Sequence, residues 1–246
     1  MSSFYDRLKN VANKAAKIPG VKKLLKPLYY PFKESVKNSY NKRFRKNGLS
    51  VLNDFTSCLD SHNIPYTLAF GTLLGAIREH GFIKHDFDID LTMWKDERPD
   101  NLTDILSQAG FILAHVFYVE EGKFGYEETY TKNGVNIDIF YFYPPIDTYP
   151  YCCDFVGFQG APTHAASMKK YGRVQARRIE LPMSRERMLV NFEGLTLPVP
   201  VNAHELLAFR YGEDYMIPNP QWGISSYDNH IVRWHDVVAT YEEPSR

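Results

Sequence analysis

The sequence predicts an α+β protein. A mixed sheet flanked by helices forms the body (residues 47–246), with a basic amphipathic helical arm before it (residues 1–46) and an irregular C-terminal region. Three observations carry this reading. Apolar residues recur at helical spacing near the N-terminus and again further along the chain. Between those stretches lie short runs with the period of two that marks half-buried strands. Charge is divided unevenly: thirteen of the 29 basic residues lie in the first fifty positions against only Asp6 and Glu34, which leaves +11 there and −11 over the remaining 196 residues.

In the arm, Phe4, Leu8, Val11, Ala15 and Ile18 form an apolar stripe, with Arg7, Lys9, Lys14 and Lys17 on other faces, and Pro19-Gly20 stops that helix. Val21, Leu24, Leu25 and Leu28 follow among lysines and end at Tyr29-Tyr30-Pro31. Leu49, Leu52, Phe55 and Leu59 predict a second helix entering the body. A short strand is expected over Tyr66–Phe70, then a Gly71-Thr72 turn into a helix over Leu73–Glu79 and an acidic strand over Phe87–Met93. Pro99–Gln108 reads as a helix closed by Gly110. Phe111–Val119, Tyr126–Thr131 and Val135–Tyr143 read as strands. Beyond them the pattern is less regular, with strands at Val174–Leu181 and Leu195–Val199, a helix from Asn202 to Tyr211 and long ordered loops.

Bulk properties exclude several classes. With 44% hydrophobic and 24% charged residues the chain has globular composition. Its three cysteines, Cys58 and the adjacent Cys152 and Cys153, have neither metal-finger spacing nor a disulfide framework, which fits a reducing cytoplasm. No stretch approaches the roughly 18 uncharged residues of a membrane span. The basic arm is of the kind that lies on an anionic membrane surface; packing on the acidic body is the equal alternative. Nucleic acid is set aside, since a partner of that kind would draw on basic residues across the body as well. Deleting residues 1–45 is accordingly expected to weaken binding to anionic vesicles and to spare turnover on a soluble acceptor.

The chemistry concentrates in carboxylates. Asp86, Asp88 and Asp90 alternate, so one extended strand would project all three from one face. Such carboxylates repel one another unless a cation sits among them or protons are taken up, and Mg²⁺ or Mn²⁺ is the usual solution; a solvated acidic face is the alternative. Asp138 is the one charge within VNIDIFYFY, either a further member of the site or a buried hydrogen-bonding group. A strand, a Gly-Thr turn opening a helix and an acidic strand together form a cradle where backbone N–H groups and the Thr72 hydroxyl hold phosphate oxygens, although a plain strand-to-helix turn gives the same two residues.

At these residues the sequence resembles the LicD family, which includes the fukutin-type proteins and belongs to the nucleotidyltransferase-fold superfamily. The blocks are AFGTLLGAIREHGFIKHDFDIDL, VNIDIFYFY and GLTLPVPVNAHELLAFRYGEDYMIPNP, covering roughly residues 49–222. The superfamily at large has Gly-Gly or Gly-Ser and a shorter gap; Gly71-Thr72 with fifteen residues before Asp88 follows LicD relatives. His85 and Phe87 stand where the family often has a Trp and paired acids, which sets Asp86 apart from Asp88 and Asp90.

The resemblance implies a nucleotidyltransferase-like fold and transfer of a phospho-alcohol, such as phosphocholine or ribitol phosphate, from a CDP-linked donor to a sugar hydroxyl of a glycan or its lipid-linked precursor, with CMP released. It implies Asp86, Asp88 and Asp90 as ligands of Mg²⁺ or Mn²⁺, with Asp88, Asp90 and Asp138 catalytic. Gly71 and Thr72 would hold donor phosphate. Arg78 would pair with a phosphate or with one of the aspartates, and Tyr211, Asp214 and Tyr215 would shape the pocket or, for the tyrosines, pack in the core. The expected location is the cytoplasm, peripheral at the inner face of the membrane. Two rivals stand beside this reading: a glycosyltransferase, because Asp88-Ile89-Asp90 also satisfies Asp-x-Asp, and a tethered interaction protein without activity.

Overall fold

The computed structural model describes residues 21–84, 86–161, 163–219 and 231–244. The helix expected over residues 4–18 lies outside them. The elements are α1 (Val21–Ser61), β1 (Thr67–Leu68), α2 (Phe70–Arg78), β2 (Ile89–Trp94), α3 (Leu102–Gln108), β3 (Ile112–Val119), β4 (Gly125–Lys132) and β5 (Val135–Phe142). They continue as β6 (Tyr151–Val156), α4 (His164–Tyr171), β7 (Val174–Glu180), β8 (Arg187–Phe192), β9 (Leu195–Pro200), α5 (Ala203–Tyr211) and β10 (Ile231–Glu242). The α+β class is as expected. No helix among the described residues is long and apolar enough to cross a membrane.

Eight strands form one mixed sheet in the order β1-β2-β5-β4-β3-β10-β7-β6, and β8 and β9 form a separate hairpin. Among the described residues only β2 and β5 pair in parallel, Asp90 opposite Asp138; the remaining pairings in this sheet are antiparallel. A parallel pair needs a long crossover, and here α3, β3 and β4 provide it, with β5 inserted between β2 and β4. The β4–β5 turn is Asn133-Gly134, with φ of 52° and 77°, the left-handed pair that a two-residue hairpin with right-twisted strands demands. Backbone bonds between Tyr143 and Tyr151 join the end of β5 to the start of β6, so the sheet curls on itself.

Alternation gives the sheet two chemically different faces. One presents Ile89, Leu91, Ile137, Ile139, Tyr130 and Tyr141, all at most 0% exposed, and packs on the buried side of α1 through Phe55, whose ring meets Phe111 edge-on at 4.8 Å. Glu128 lies on this face, fully buried, because Arg98 closes on it with Nη2–Oε1 at 2.7 Å and Nε–Oε2 at 3.1 Å. The Tyr141, Tyr130 and Tyr126 hydroxyls also donate to it. The other face carries Asp90, Asp138, Thr129 and Glu127.

Several expectations are corrected. One unbroken helix, α1, replaces the separate arm segment and entry helix. Phe44 on it is 3% exposed and packs edge-on against Phe82 at 4.9 Å, so removing residues 1–45 would open the core and could not spare turnover. The acidic strand starts at Ile89, two residues late, because the chain bends at Asp88 just before it, and upstream the Asp86 N–H donates to the Ile83 carbonyl. The strand expected over Tyr66–Phe70 shrinks to two residues because α2 already begins at Phe70. The C-terminal region is more regular than expected, with β6, α4, β8 and a twelve-residue β10.

The Glu128 cluster makes a direct prediction. Arg98→Met strands a buried carboxylate and should cost about 3–5 kcal/mol in urea unfolding. Tyr126→Phe, which removes a contact at 3.5 Å, should cost no more than about 1 kcal/mol. Equal losses in the two variants would contradict this account.

Candidate active site and metal centre

The site is built where the start of β2, the middle of β5 and the first turn of α2 converge. Asp90 is the second residue of β2 and Asp138 its register partner on β5, so the parallel pairing alone sets their side chains adjacent on one face. Asp88 reaches the same point from the bend before β2. One oxygen from each of Asp88, Asp90 and Asp138 lies within 4.8 Å of the others. A hard divalent cation with oxygen ligands at about 2.1 Å sets neighbouring ligands about 3 Å apart and opposite ones about 4.2 Å apart. The three carboxylates therefore fit such an ion, with room for water and substrate oxygens.

Asp86 is outside that group of three. Its carboxyl bonds to Asp88 and accepts from the Phe87 N–H, and its Oδ2 is buried without a partner. It packs against Gly71, where a Cβ would stand 2.5 Å from Oδ2; any other residue would push Asp86 away. The Gly71 N–H donates to Asp90 Oδ2 at 3.2 Å. Thr72 is fully buried and its hydroxyl accepts from the Asp90 N–H at 2.9 Å. Gly71 and Thr72 thus sit inside α2, not in a turn before it, and both hold Asp90. Opposite them, the Thr129 hydroxyl donates to Asp138 Oδ1 at 2.5 Å, which leaves Oδ2 for other contacts.

Removal from water and mutual repulsion raise these groups together. Burial, then the Asp88 charge, pushes Asp86 up to about 7. Burial also lifts Asp138 to about 7, against the opposing Thr129 hydrogen bond. Asp90 is held well above the usual carboxylate range by burial, then by Asp88, Asp138 and Asp86, with only the Gly71 N–H opposing.

The remaining expected residues are more dispersed. Arg78, in the last turn of α2, is committed to Glu79 Oε1 at 2.9 Å and to the Tyr215 carbonyl at 3.1 Å; it pairs with no aspartate among the described residues. Tyr211 is buried at the end of α5, its hydroxyl pushed up by burial and then by the charge of Asp90. Tyr215 is half-buried and bonds to His204 Nδ1. Asp214 is exposed on the turn after α5. A cavity of about 290 Å³ lined by Lys95, Gly122, Lys123, Phe142 and Tyr143 opens at the opposite ends of β2 and β5, away from the carboxylates.

Three residues join the site that the pattern did not single out. Tyr40 of α1 has its hydroxyl pushed up to about 12 by burial and the Asp88 charge, and bonds to the backbone at Asn136. Glu127, two positions from Thr129 on the same face of β4, is buried and raised by burial, then by Asp138 and Asp154. Arg210 precedes Tyr211 and is buried. Alternation in GYEETYT places Glu127 beside Thr129, but nothing local reveals that β4 borders β5.

Residues 63–202, more than half of the chain, match the family model described as the LicD/FKTN/FKRP nucleotidyltransferase domain. The chain belongs to the LicD family. All four aspartates lie within the matched residues; α5, with Arg210 and Tyr211, lies beyond them. The chain is similar to the ribitol-5-phosphate transferase FKTN of Mus musculus, 26% identical over 208 residues that are 80% of this chain and 41% of the relative. It is also 47% identical over 49 residues to the lipopolysaccharide cholinephosphotransferase LicD of Haemophilus influenzae, a stretch that is 20% of this chain and 18% of that one. The human FKTN matches at 24% over 207 residues. This LicD-family chain thus spans about two-fifths of the length of the FKTN relatives it matches.

The raised carboxylates set a linkage test. A carboxyl whose folded pKa lies above its unfolded value stabilises the fold most when protonated, and that contribution is lost as pH rises from about 4 through about 7. A divalent cation binds the ionised form and offsets the loss. The rise in Tm produced by Mg²⁺ or Mn²⁺ should therefore be near zero at about pH 5 and grow towards about pH 8, and it should vanish in Asp90→Asn. A cation shift independent of pH would contradict the assignment.

Proposed function

We infer that this LicD-family chain transfers a phospho-alcohol from a CDP-linked donor to a sugar hydroxyl of a glycan or its lipid-linked precursor, using Mg²⁺ or Mn²⁺. The observation that carries the reading is the convergence of Asp88, Asp90 and Asp138 beside the first turn of α2 in a chain of this family. The relatives named for transfer of ribitol 5-phosphate and of choline phosphate support the substrate class.

Asp88 and Asp90 would hold the cation, which would supply positive charge against the donor diphosphate. Asp86, bonded to Asp88, fixes that carboxylate from behind. The acceptor hydroxyl oxygen attacks the phosphorus that bears the alcohol. The bond from that phosphorus to the bridging oxygen breaks, and CMP leaves with the bridging oxygen. The hydroxyl proton passes to Asp138, whose Oδ2 is free of the Thr129 bond. An acceptor at the membrane would suit the basic N-terminal segment and a cytoplasmic, peripheral location.

The test is CMP release with Mg²⁺, a glycan acceptor and a panel of CDP-linked alcohols against nucleotide sugars. Turnover of a nucleotide sugar with no CMP-releasing activity would replace this reading with the glycosyltransferase one. Asp138→Asn should lower kcat by about 10²–10⁴-fold. Thr129→Val removes the bond that favours ionised Asp138, so its pKa rises and the ascending acid limb of the pH–rate profile should move to higher pH. A limb that moves lower or stays fixed would remove Asp138 as the base.

A further inference from the structure

We propose that Arg210 is the anion-binding arm of the site: its guanidinium takes a phosphate oxygen of the donor on the side of the carboxylates lined by Phe70. This rests on the proposed function and deepens it, by locating the donor diphosphate between the carboxylate-bound cation and α5.

Arg210 sits in the last turn of α5 and is 6% exposed, yet its Nε and Nη1 have no hydrogen-bond partner. Other deeply buried arginines are neutralised. Arg98 is closed bidentately on Glu128, and Arg178 pairs with both Asp147 and Glu180. Among the described residues Arg210 has no carboxylate within ion-pair distance. A buried unpaired guanidinium is costly, and its planar fork matches phosphate oxygens.

Its position is as specific as its lack of partners. The guanidinium carbon lies 5.8 Å from the centre of the Phe70 ring. Phe70 immediately precedes Gly71, whose N–H holds Asp90, and its ring stands edge-on to Phe140 at 4.8 Å on the carboxylate-bearing face of β5. The neighbouring Tyr211 hydroxyl feels Asp90, Arg210 and Asp86 together. Arg210 therefore borders the carboxylates without neutralising any of them. Arg78, the cation that the sequence singles out for phosphate, is already engaged by Glu79 and the Tyr215 carbonyl.

The experiment measures binding of inorganic pyrophosphate to the full chain with saturating Mg²⁺ by calorimetry, and Mn²⁺ affinity alone, in wild type, Arg210→Gln and Arg210→Lys. The expected result is a loss of pyrophosphate affinity of about tenfold or more in Arg210→Gln, partly restored in Arg210→Lys, with Mn²⁺ affinity changed less than about twofold. Unchanged pyrophosphate affinity would overturn the proposal. So would a parallel change in Mn²⁺ affinity, since Arg210 would then act only as a counter-charge to the carboxylates. If Arg210→Gln does not fold, the side-chain Nε–H resonance of Arg210 in ¹⁵N-arginine-labelled wild type, assigned with Arg210→Lys, decides: a shift on adding pyrophosphate with Mg²⁺ supports the proposal, and no shift overturns it. Failure of every CDP-linked donor to turn over, with pyrophosphate affinity still dependent on Arg210, would remove the proposed reaction and leave the anion site standing.

Discussion

The parallel register of β2 on β5 is the constraint on which the site depends. It sets Asp90 against Asp138, and because side chains alternate, this single pairing also assigns every neighbouring residue to the acidic or the apolar face. A slip of β2 by one residue would drive Asp90 into the core, away from Asp138, and turn Ile89 and Leu91 outward. The apolar face resists that slip with fully buried Ile89, Leu91, Ile137 and Ile139. At about 25 cal/mol per Å² of apolar surface, turning these side chains out to water would cost the fold the burial that fixes the register. The Thr129 hydroxyl, the Gly71 N–H and the Thr72 hydroxyl then fix the two aspartates in place.

Adjacent residues on β4 show how differently the two faces treat charge. Glu128 enters the apolar face and is satisfied by Arg98 and three tyrosine hydroxyls. Glu127, one residue earlier, enters the acidic face, where Asp138 and Asp154 add to the burial that raises it. A fold that can gather four partner side chains around one glutamate is not short of means to neutralise charge. Among the described residues Asp86, Asp90 and Asp138 have no basic partner within ion-pair distance, which is a property of this face and the electrostatic condition under which a cation binds strongly.

Periodicity made much of the fold legible. The strands that became β3, β4, β5 and β7 and the helices that became α3 and α5 lie within a few residues of expectation, because each has a readable period, helped at the end of α3 by Gly110. Less legible were β6, whose Tyr151-Cys152-Cys153 run is buried without alternation, and β10, whose polar residues and register shift between Trp234 and Ala239 obscure the pattern. For α4 a local signal existed: Thr163 caps its start by accepting from the Ala166 N–H, and Gly172, at φ 69°, closes its end. In the site, Asp88, Asp90 and Asp138 stood out as charges in apolar runs. Tyr40, Glu127 and Arg210 did not, since their membership depends on which elements abut, and that is a long-range property.

Phe70 links these observations. It has φ of 41°, a conformation that costs a bulky L-residue free energy. The preceding Ala69 is extended, so the chain changes from strand to helix within a single residue. A gentler turn would need additional residues between β1 and α2, and the Gly71 N–H would then lie further from Asp90. The aromatic ring offsets part of the strain by packing on Phe140 and lying beside Arg210. Strain at this position is thus tied to two separate requirements, a backbone donor close to Asp90 and an apolar wall beside a buried guanidinium. Glycine would relieve the strain and keep the first while losing the second, which accounts physically for an aromatic residue where backbone geometry alone favours glycine.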